Sequence, residues 1–412
     1  MKILFLAPQP FFQLRGTPIA VRRVVEVLGS AGHSIQLLTF PEGEDIELPN
    51  CTVNRTLHLP FLKSVPPGFS IGKLIYDTMM FFKAFSMCRR KSFDVVHAVE
   101  ESVFIARALK FCFGTPYLYD MDSSLPGQLT DLFGWLAVLR RPLQWIETIA
   151  IRGSCGVIAV CHALEDTVHR ASPSTPVLRM EDANPHANVV MTEADAAAFQ
   201  LPVNGSPNVM YIGNLQKYQG IDLLLDAFAA VSEQLPEAML HIVGGAESDI
   251  HQYQRLANDL EIGERVHFLG TQPLESVPLF LRHADIVVSP RIHGTNTPMK
   301  VYSYMDSDVP LVATRLTTHT QVLSDKTSWL AEPNAQSFSQ TIVEAWRNRD
   351  ESRRKATAAK LLAEHEYSAE IQDEKLITFY EDVEARIRRS RQTIPNAVAM
   401  ANEHHVAQDV KV

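Results

Sequence analysis

The chain is short of cysteine, of long apolar runs and of positive charge, and each shortage excludes something. Its five cysteines, Cys51, Cys88, Cys112, Cys155 and Cys161, form an odd set with no CxxC pair. Neither a zinc site nor a disulfide framework is indicated, and a reduced, cytoplasmic setting is the expectation. No apolar run reaches the roughly 18 residues of a membrane-spanning helix. The opening MKILFLAPQPFF starts like an export signal, but the run is short and no small-residue cleavage site follows, so it reads as a buried first strand. A net charge of −9 argues against non-specific nucleic-acid binding. No two histidines stand at metal-ligand spacing with an acid, so no metal is expected. What remains is an ordinary globular composition, 46% hydrophobic and 21% charged over 412 residues, enough for about two or three domains.

Strand-like and helix-like stretches alternate. KILFLAP is an apolar run bounded by proline, and IAVRRVVEVLGSAG follows at helical spacing up to Gly32. SIQLLTF, DVVHAV, PYLYDMD and GVIAVC read as further buried strands. The alternation restarts with VMYIGNL, MLHIVGG, VHFLGT, DIVVSP and PLVAT. Buried strands between helices imply parallel sheets. The expected fold is α/β, two Rossmann-like doubly wound domains facing across a cleft, with ligands at the carboxyl ends of the strands. The boundaries are 1–185 for the first domain, 186–205 for a linker rich in turn formers, and 206–370 for the second domain. A helix over 371–391 packs back on the first domain, and 392–412 is expected to fray.

The loops carry the chemistry. In GNLQKYQG, Gly213 and Gly220 frame a turn around Lys217, where backbone amides suit a phosphate. Gly244 and Gly245 end the next strand and let backbone approach a flat ring. In PRIHGTNTPMKVYSYM, Pro298 suits a first helical turn, and Thr297 or Asn296 suits its cap. The first-turn amides, flanked by Arg291 and Lys300, then make a diphosphate cradle, with His293 adjoining it. The alternative is that these are surface charges beside an ordinary cap. Acids at strand ends, Glu100, Glu101, Asp120 and Asp122, stand where an acceptor hydroxyl would be oriented or deprotonated, although such acids also cap helices. His97 ends a strand and faces the expected cleft, as a ligand contact or a structural histidine.

The ordered set RGTPIAV, DVVHA, YIGNLQKYQGIDLLLDAF, VHFLG, ADIVVSP, TPMKVYSYMDSDVPLVAT and YSAEIQDEKLITFYEDV, from residue 1 to about 388, resembles a family 4 glycosyltransferase of the GT-B type. The resemblance implies retaining transfer of a sugar from a nucleotide-diphosphate donor, held mainly by the second domain, to an acceptor held by the first. The family signature carries two glutamates eight positions apart. Aligned on VPLVAT they fall on Thr295 and Ser303, so both acids are absent. In the family the second glutamate grips the ribose and the first lies by the donor sugar. Ser303 retains a hydroxyl for that grip, a weaker partner than a carboxylate. The family's phosphate-binding Arg and Lys fall on Asn214 and Gln219, its glycine pair on Gly16 and Thr17, and a frequent His on Asp122.

The expected site therefore places Arg291, Lys300 and Asp122 at the reaction. Gly16, Gly213, Asn214, Lys217, Gln219, Gly244, Gly245, His293, Gly294, Thr295, Asn296, Thr297, Pro298, Met299 and Ser303 hold the donor. Thr17, His97, Glu100, Glu101 and Asp120 stand on the acceptor side. Neither cofactor nor metal is expected. The partners are a nucleotide sugar and a glycan, lipid or small-molecule acceptor, as in polysaccharide or glycolipid synthesis. The alternative is an inactive nucleotide-sugar-binding or scaffold subunit. FLKSVPPGFSIGKLIYDTMMFFKAFSMCRRKSF and FGWLAVLRRPLQW mix aromatic and basic residues, the composition of a peripheral membrane contact at the inner face or of ordinary core-facing helices.

Overall fold

The computed structural model describes residues 1–13, 16–60, 62, 70–124, 126–127, 138–184, 199, 201–203 and 205–409, those from 392 onward by backbone alone. The chain divides into two compact units, Met1–Met180 with Asp373–Val412, and Glu181–Gln372. Most of 186–205, read as the linker, lies outside the described residues.

In the first unit β1 (Lys2–Ala7), β2 (Ser34–Thr39), β3 (Cys51–Arg55), β4 (Val95–Val99), β5 (Tyr117–Met121), β6 (Gly156–Ala159) and β7 (Val177–Arg179) run parallel in the order β3-β2-β1-β4-β5-β6-β7. The helices are α1 (Gly16–Ser30), α2 (Ile71–Arg90), α3 (Ser102–Phe113), α4 (Arg140–Gly153) and α5 (His162–Ala171). Alternate residues of β1 feed two cores. Leu4 and Leu6 pack with α2 to α5, while Ile3, Phe5 and Ala7 pack with α1. A strand covered on both faces has to be apolar throughout, which is why KILFLA shows no alternation.

The second unit repeats the plan with β8 (Asn208–Ile212), β9 (Met239–Val243), β10 (Val266–Gly270), β11 (Ile286–Ser289), β12 (Leu311–Thr314) and β13 (Trp329–Ala331), parallel in the order β10-β9-β8-β11-β12-β13. Its helices are α6 (Ile221–Gln234), α7 (Glu247–Asp259), α8 (Val277–Arg282), α9 (Lys300–Asp306), α10 (Thr317–Thr320), α11 (Ala335–Arg347) and α12 (Arg349–Glu366). The last helix, α13 (Ala369–Asp409), sinks Leu376, Phe379, Tyr380, Val383 and Ile387 into the core of the first unit. The stretch after Arg391, read as frayed, continues this helix. Ala397, Ala399, Met400 and Ala401 are strong helix formers, which suits continuation past Pro395.

Both strand orders reverse beside the first strand of their sheet, between β1 and β4 and between β8 and β11. At such a switch point neighbouring loops diverge in opposite directions and leave a crevice at the carboxyl ends. The loops after β8 and β11 flank this point in the second unit.

Candidate functional site

The chain leaving β8 turns at Gly213 (φ +149°), passes through a 3-10 turn at Lys217–Gln219, and enters α6 at Gly220 (φ +73°). The loop after β11 runs from Pro290 to Met299 and lies against it. The Ile292 amide donates to the Tyr218 carbonyl at 3.0 Å, and any Cβ on Gly220 would strike the Pro290 carbonyl. Only glycine allows this approach with that backbone conformation.

Two cations occupy the junction. Arg291 is buried; its Nε donates to the His293 carbonyl at 2.7 Å and its Nη2 to Asn296 Oδ1 at 2.9 Å. Its guanidinium lies 5.1 Å from the centre of the Tyr218 ring. Lys300 Nζ donates to Gln219 Oε1 at 3.1 Å and stands 3.8 Å from the centre of the Tyr211 ring. A Cβ built on Gly213 would lie 2.6 Å from that Nζ. Lys300 keeps part of its surface exposed, yet burial of the ammonium, then the charge of Arg291, holds its pKa well below the ordinary lysine range. Among the described residues no carboxylate offsets either effect on Lys300. A desolvated cation whose partners are an amide and an aromatic face is prepared for an anion that the protein does not itself supply.

In the first unit the loops after β4 and β5 gather acids. Glu100 and Glu101 follow β4, and Asp122 follows β5. Lys73 Nζ lies 2.6 Å from Glu101 Oε1 and 3.8 Å from Glu100 Oε2. Burial raises the Tyr119 pKa far above its usual value, and Glu147, Glu100, Glu101 and Asp122 add to it. Burial, then the neighbouring Glu101, pushes Asp77 up to about 8.

The family model for glycosyl transferases group 1 matches residues 194–362, and that for the glycosyl transferase 4-like domain matches residues 15–179. Between them the two models cover both units, each as a glycosyltransferase domain. It is 32% identical over 105 residues to the D-inositol 3-phosphate glycosyltransferase of Corynebacterium aurimucosum, covering 24% of this chain and 25% of that one. The match thus spans about a quarter of that relative's length. The phosphatidyl-myo-inositol mannosyltransferase of Mycobacterium tuberculosis is 25% identical over 332 residues, covering 79% of this chain and 80% of that one. Among solved structures, sucrose-phosphate synthase from Thermosynechococcus elongatus superposes with a TM-score of 0.78 at 20% identity, covering 93% and 99% of the two chains. That likeness shows the GT-B fold, two parallel-sheet α/β domains.

The structure departs from several expectations at these loops. α9 begins at Lys300 with Met299 as its cap and no side-chain capping bond. The preceding turn is tight, Val301 N–H bonding the Pro298 carbonyl at 2.9 Å. Asn296 is engaged by Arg291, and Thr297 Oγ1 accepts from Gln321 Nε2 at 3.0 Å. Neither caps the helix, so the cations outweigh the amides of this seven-residue element. His97 presents no free nitrogen. It is fully buried between Tyr380 Oη at 2.5 Å and Asp120 Oδ2 at 2.9 Å, stacked 3.9 Å from Phe5. A strand residue enclosed by two helical layers cannot face a ligand, and His97 with Asp120 ties α13 to the sheet instead.

The remaining positions are scattered by exposure. Lys217, Asn214, His293, Gly294 and Thr295 are exposed, while Gln219 and Ser303 are buried. Gly244 (φ +108°) abuts Gly213, and Gly245 (φ +95°) abuts Leu215. Gly16 and Thr17 open α1. Ser303 Oγ donates to Asn184 Oδ1 at 2.9 Å, and Asn184 Nδ2 donates to Asp306 Oδ2 at 2.6 Å. Ser303 thus keeps only acceptor capacity for a sugar hydroxyl. Tyr211, Tyr218 and Asn184 were not anticipated. The two tyrosines carried a signal, aromatic residues in a strand-to-loop stretch next to a basic loop, whereas Asn184 carried none.

Behind the cations lies a neutral histidine. His319 Nδ1–H donates to the Thr314 carbonyl at 2.9 Å, and its Nε2 accepts from Ser289 Oγ at 2.8 Å. Burial above all lowers its pKa to about 3, and burial likewise lowers that of His241 to about 4. The unfolded chain takes up these protons near 6.5, before the folded one does. Their contribution to stability is therefore complete above pH 6.5 and lost as pH falls towards 4 and then 3, at most about 1.4 kcal/mol per pH unit for each group. Denaturant midpoints measured from pH 7 to 4 are expected to fall, and a His241→Leu variant is expected to fall less steeply.

Proposed function

We propose that the chain transfers a sugar from a nucleoside-diphosphate sugar to an acceptor hydroxyl, with retention of anomeric configuration, as a divergent family 4 enzyme. The observation that carries the reading is the pairing of Arg291 and Lys300 at a switch point, with no carboxylate acting on Lys300 among the described residues. When the bond from the anomeric carbon to the phosphate oxygen breaks, charge builds on the departing diphosphate. A preorganised cation pair is the largest help a protein gives to that step. The acceptor oxygen bonds the anomeric carbon on the same face, and its proton passes to the leaving phosphate oxygen. No metal enters, so chelation with EDTA leaves the rate unchanged.

Glu100, Glu101 and Asp122 orient the acceptor together with Thr17, while Gly16 serves the donor. The relatives' names, which point to inositol 3-phosphate and phosphatidyl-myo-inositol as acceptors, support a polyol or lipid-linked acceptor. The free thiols of all five cysteines support a reducing, cytoplasmic setting. No helix of the described residues is long and apolar enough to cross a membrane.

Thermal-shift measurement with UDP-, GDP-, ADP- and TDP-sugars tests the donor site. Ligand at a hundredfold over Kd stabilises by about 2.7 kcal/mol. No shift with any of them at millimolar concentration would sink the reading, and a shift without donor hydrolysis or transfer would mark an inactive binder. Filling the site with a diphosphate raises the Lys300 pKa, so in the pH interval between its free and bound values binding takes up a proton. Calorimetry in two buffers of different ionisation enthalpy reads that uptake directly.

A further inference from the structure

The first unit carries a face that its donor chemistry does not use. α2, α3 and α4 cover one side of the sheet around a shared core. Phe85 of α2 meets Phe113 of α3 at 4.8 Å, and Lys110 of α3 reaches the Gly153 carbonyl of α4 at 2.8 Å. A helix lying on a core turns its apolar stripe inward and its polar residues outward. Here the outward stripe is apolar as well. Ile71, Leu74 and Phe82 recur at helical spacing on α2 yet are 77%, 56% and 65% exposed, and Phe111 and Trp145 on the neighbouring helices are 93% and 66% exposed.

The charge on these helices is equally one-sided. Lys and Arg number four on α2, two on α3 and three on α4, nine in all, against two acids, Asp77 and Glu147. Glu147 is buried, and Asp77 is mostly so. The whole chain has a net charge of −9, so this is a local concentration of positive charge on an acidic protein. Arg89, Arg90, Arg140 and Arg141 are exposed, and among the described residues none of them is paired with a carboxylate.

We propose that this face docks on an anionic lipid bilayer. Exposed aromatic side chains set among unpaired arginines match the two layers of such a surface, an acyl boundary beneath anionic headgroups. A second copy of the chain is the poorer occupant. An isologous contact would set the same cationic face against itself, with like charges opposed. The inference stands apart from the donor site, because every residue it uses lies in the first unit.

Co-sedimentation with vesicles of equimolar phosphatidylglycerol and phosphatidylcholine tests it, against vesicles of phosphatidylcholine alone. The protein is expected to pellet with the anionic vesicles and to be released as salt is raised. Reversing Arg89, Arg90 and Arg141 to glutamate together is expected to weaken binding by roughly a hundredfold or more, at about fivefold per charge. Phe82→Ser with Phe111→Ser is expected to weaken the salt-resistant remainder. All of these side chains are exposed, so circular dichroism and donor thermal shifts are expected to match the parent. Single Arg90→Gln and Arg141→Gln variants give the same reading should the triple variant misfold. Absence of pelleting at low salt would overturn the proposal. So would equal binding by the charge-reversed protein, or a dimer in sedimentation velocity that Phe111→Ser dissolves.

Discussion

Replacing Lys300 with methionine is expected to stabilise the protein while abolishing most of its activity. The ammonium is held by Gln219 Oε1 at 3.1 Å and by the Tyr211 ring at 3.8 Å. A neutral hydrogen-bond partner contributes on the order of 1.5–3 kcal/mol to a charged group, and a desolvated cation–π contact about 2 kcal/mol. Against these stands a desolvation penalty of several kcal/mol for an ion without a counter-ion. The direction of the Lys300 pKa, well below 10.5 through burial and then Arg291, says that the penalty wins. Methionine fills nearly the same volume without charge, so a gain of about 1 kcal/mol or more is expected. The rate is expected to fall by roughly 10²–10³, the usual loss when one preorganised charge-stabilising group is removed.

The pH dependence follows from the same shift. The folded lysine releases its proton at lower pH than the unfolded one, so the unfolded chain binds more protons in the interval between them. Stability therefore rises with pH from the lowered pKa up to about 10.5, and Lys300→Met removes that slope. A variant that is both active and less stable than the parent would refute the assignment of Lys300 as an uncompensated cation.

The central strands were legible because burial on both faces demands uninterrupted apolar runs. Three of the four edge strands were not. β3, β7 and β13 stand at the sheet margins and are half-exposed, so CTVNR, VLR and WLA carry neither an apolar run nor a clean alternation. The same distinction divides the site. Arg291 and Lys300 could be read from the loop that contains them, because a charge in a strand-end loop is a local feature. What surrounds them is not local. Tyr211 and Gln219 meet Lys300 from about 80 to 90 positions earlier, and Asn184 meets Ser303 across a comparable interval. His97 shows the converse, its structural alternative being the one the packing bears out. Its place near a strand end suggested a ligand contact, and only the packing of Phe5 and Tyr380 around it shows a buried tie.

Gly213→Ala is expected to lower the rate about a hundredfold while leaving the fold largely intact. At φ +149° an alanine is strained by about 1–3 kcal/mol. Its methyl carbon would stand 2.6 Å from Lys300 Nζ and 2.9 Å from Cε. The obstacle is the far end of a flexible side chain, so the ammonium moves and the backbone does not. A displacement near 1 Å is enough to lose roughly 10² in rate when the group must meet a developing charge. The two substitutions then act through one atom. Once Lys300 is methionine there is no ammonium left to displace, so adding Gly213→Ala should cost little further activity, and the double variant should match Lys300→Met in kcat within a fewfold. Additive losses would instead mean that Gly213 serves the donor through its own backbone, independent of Lys300.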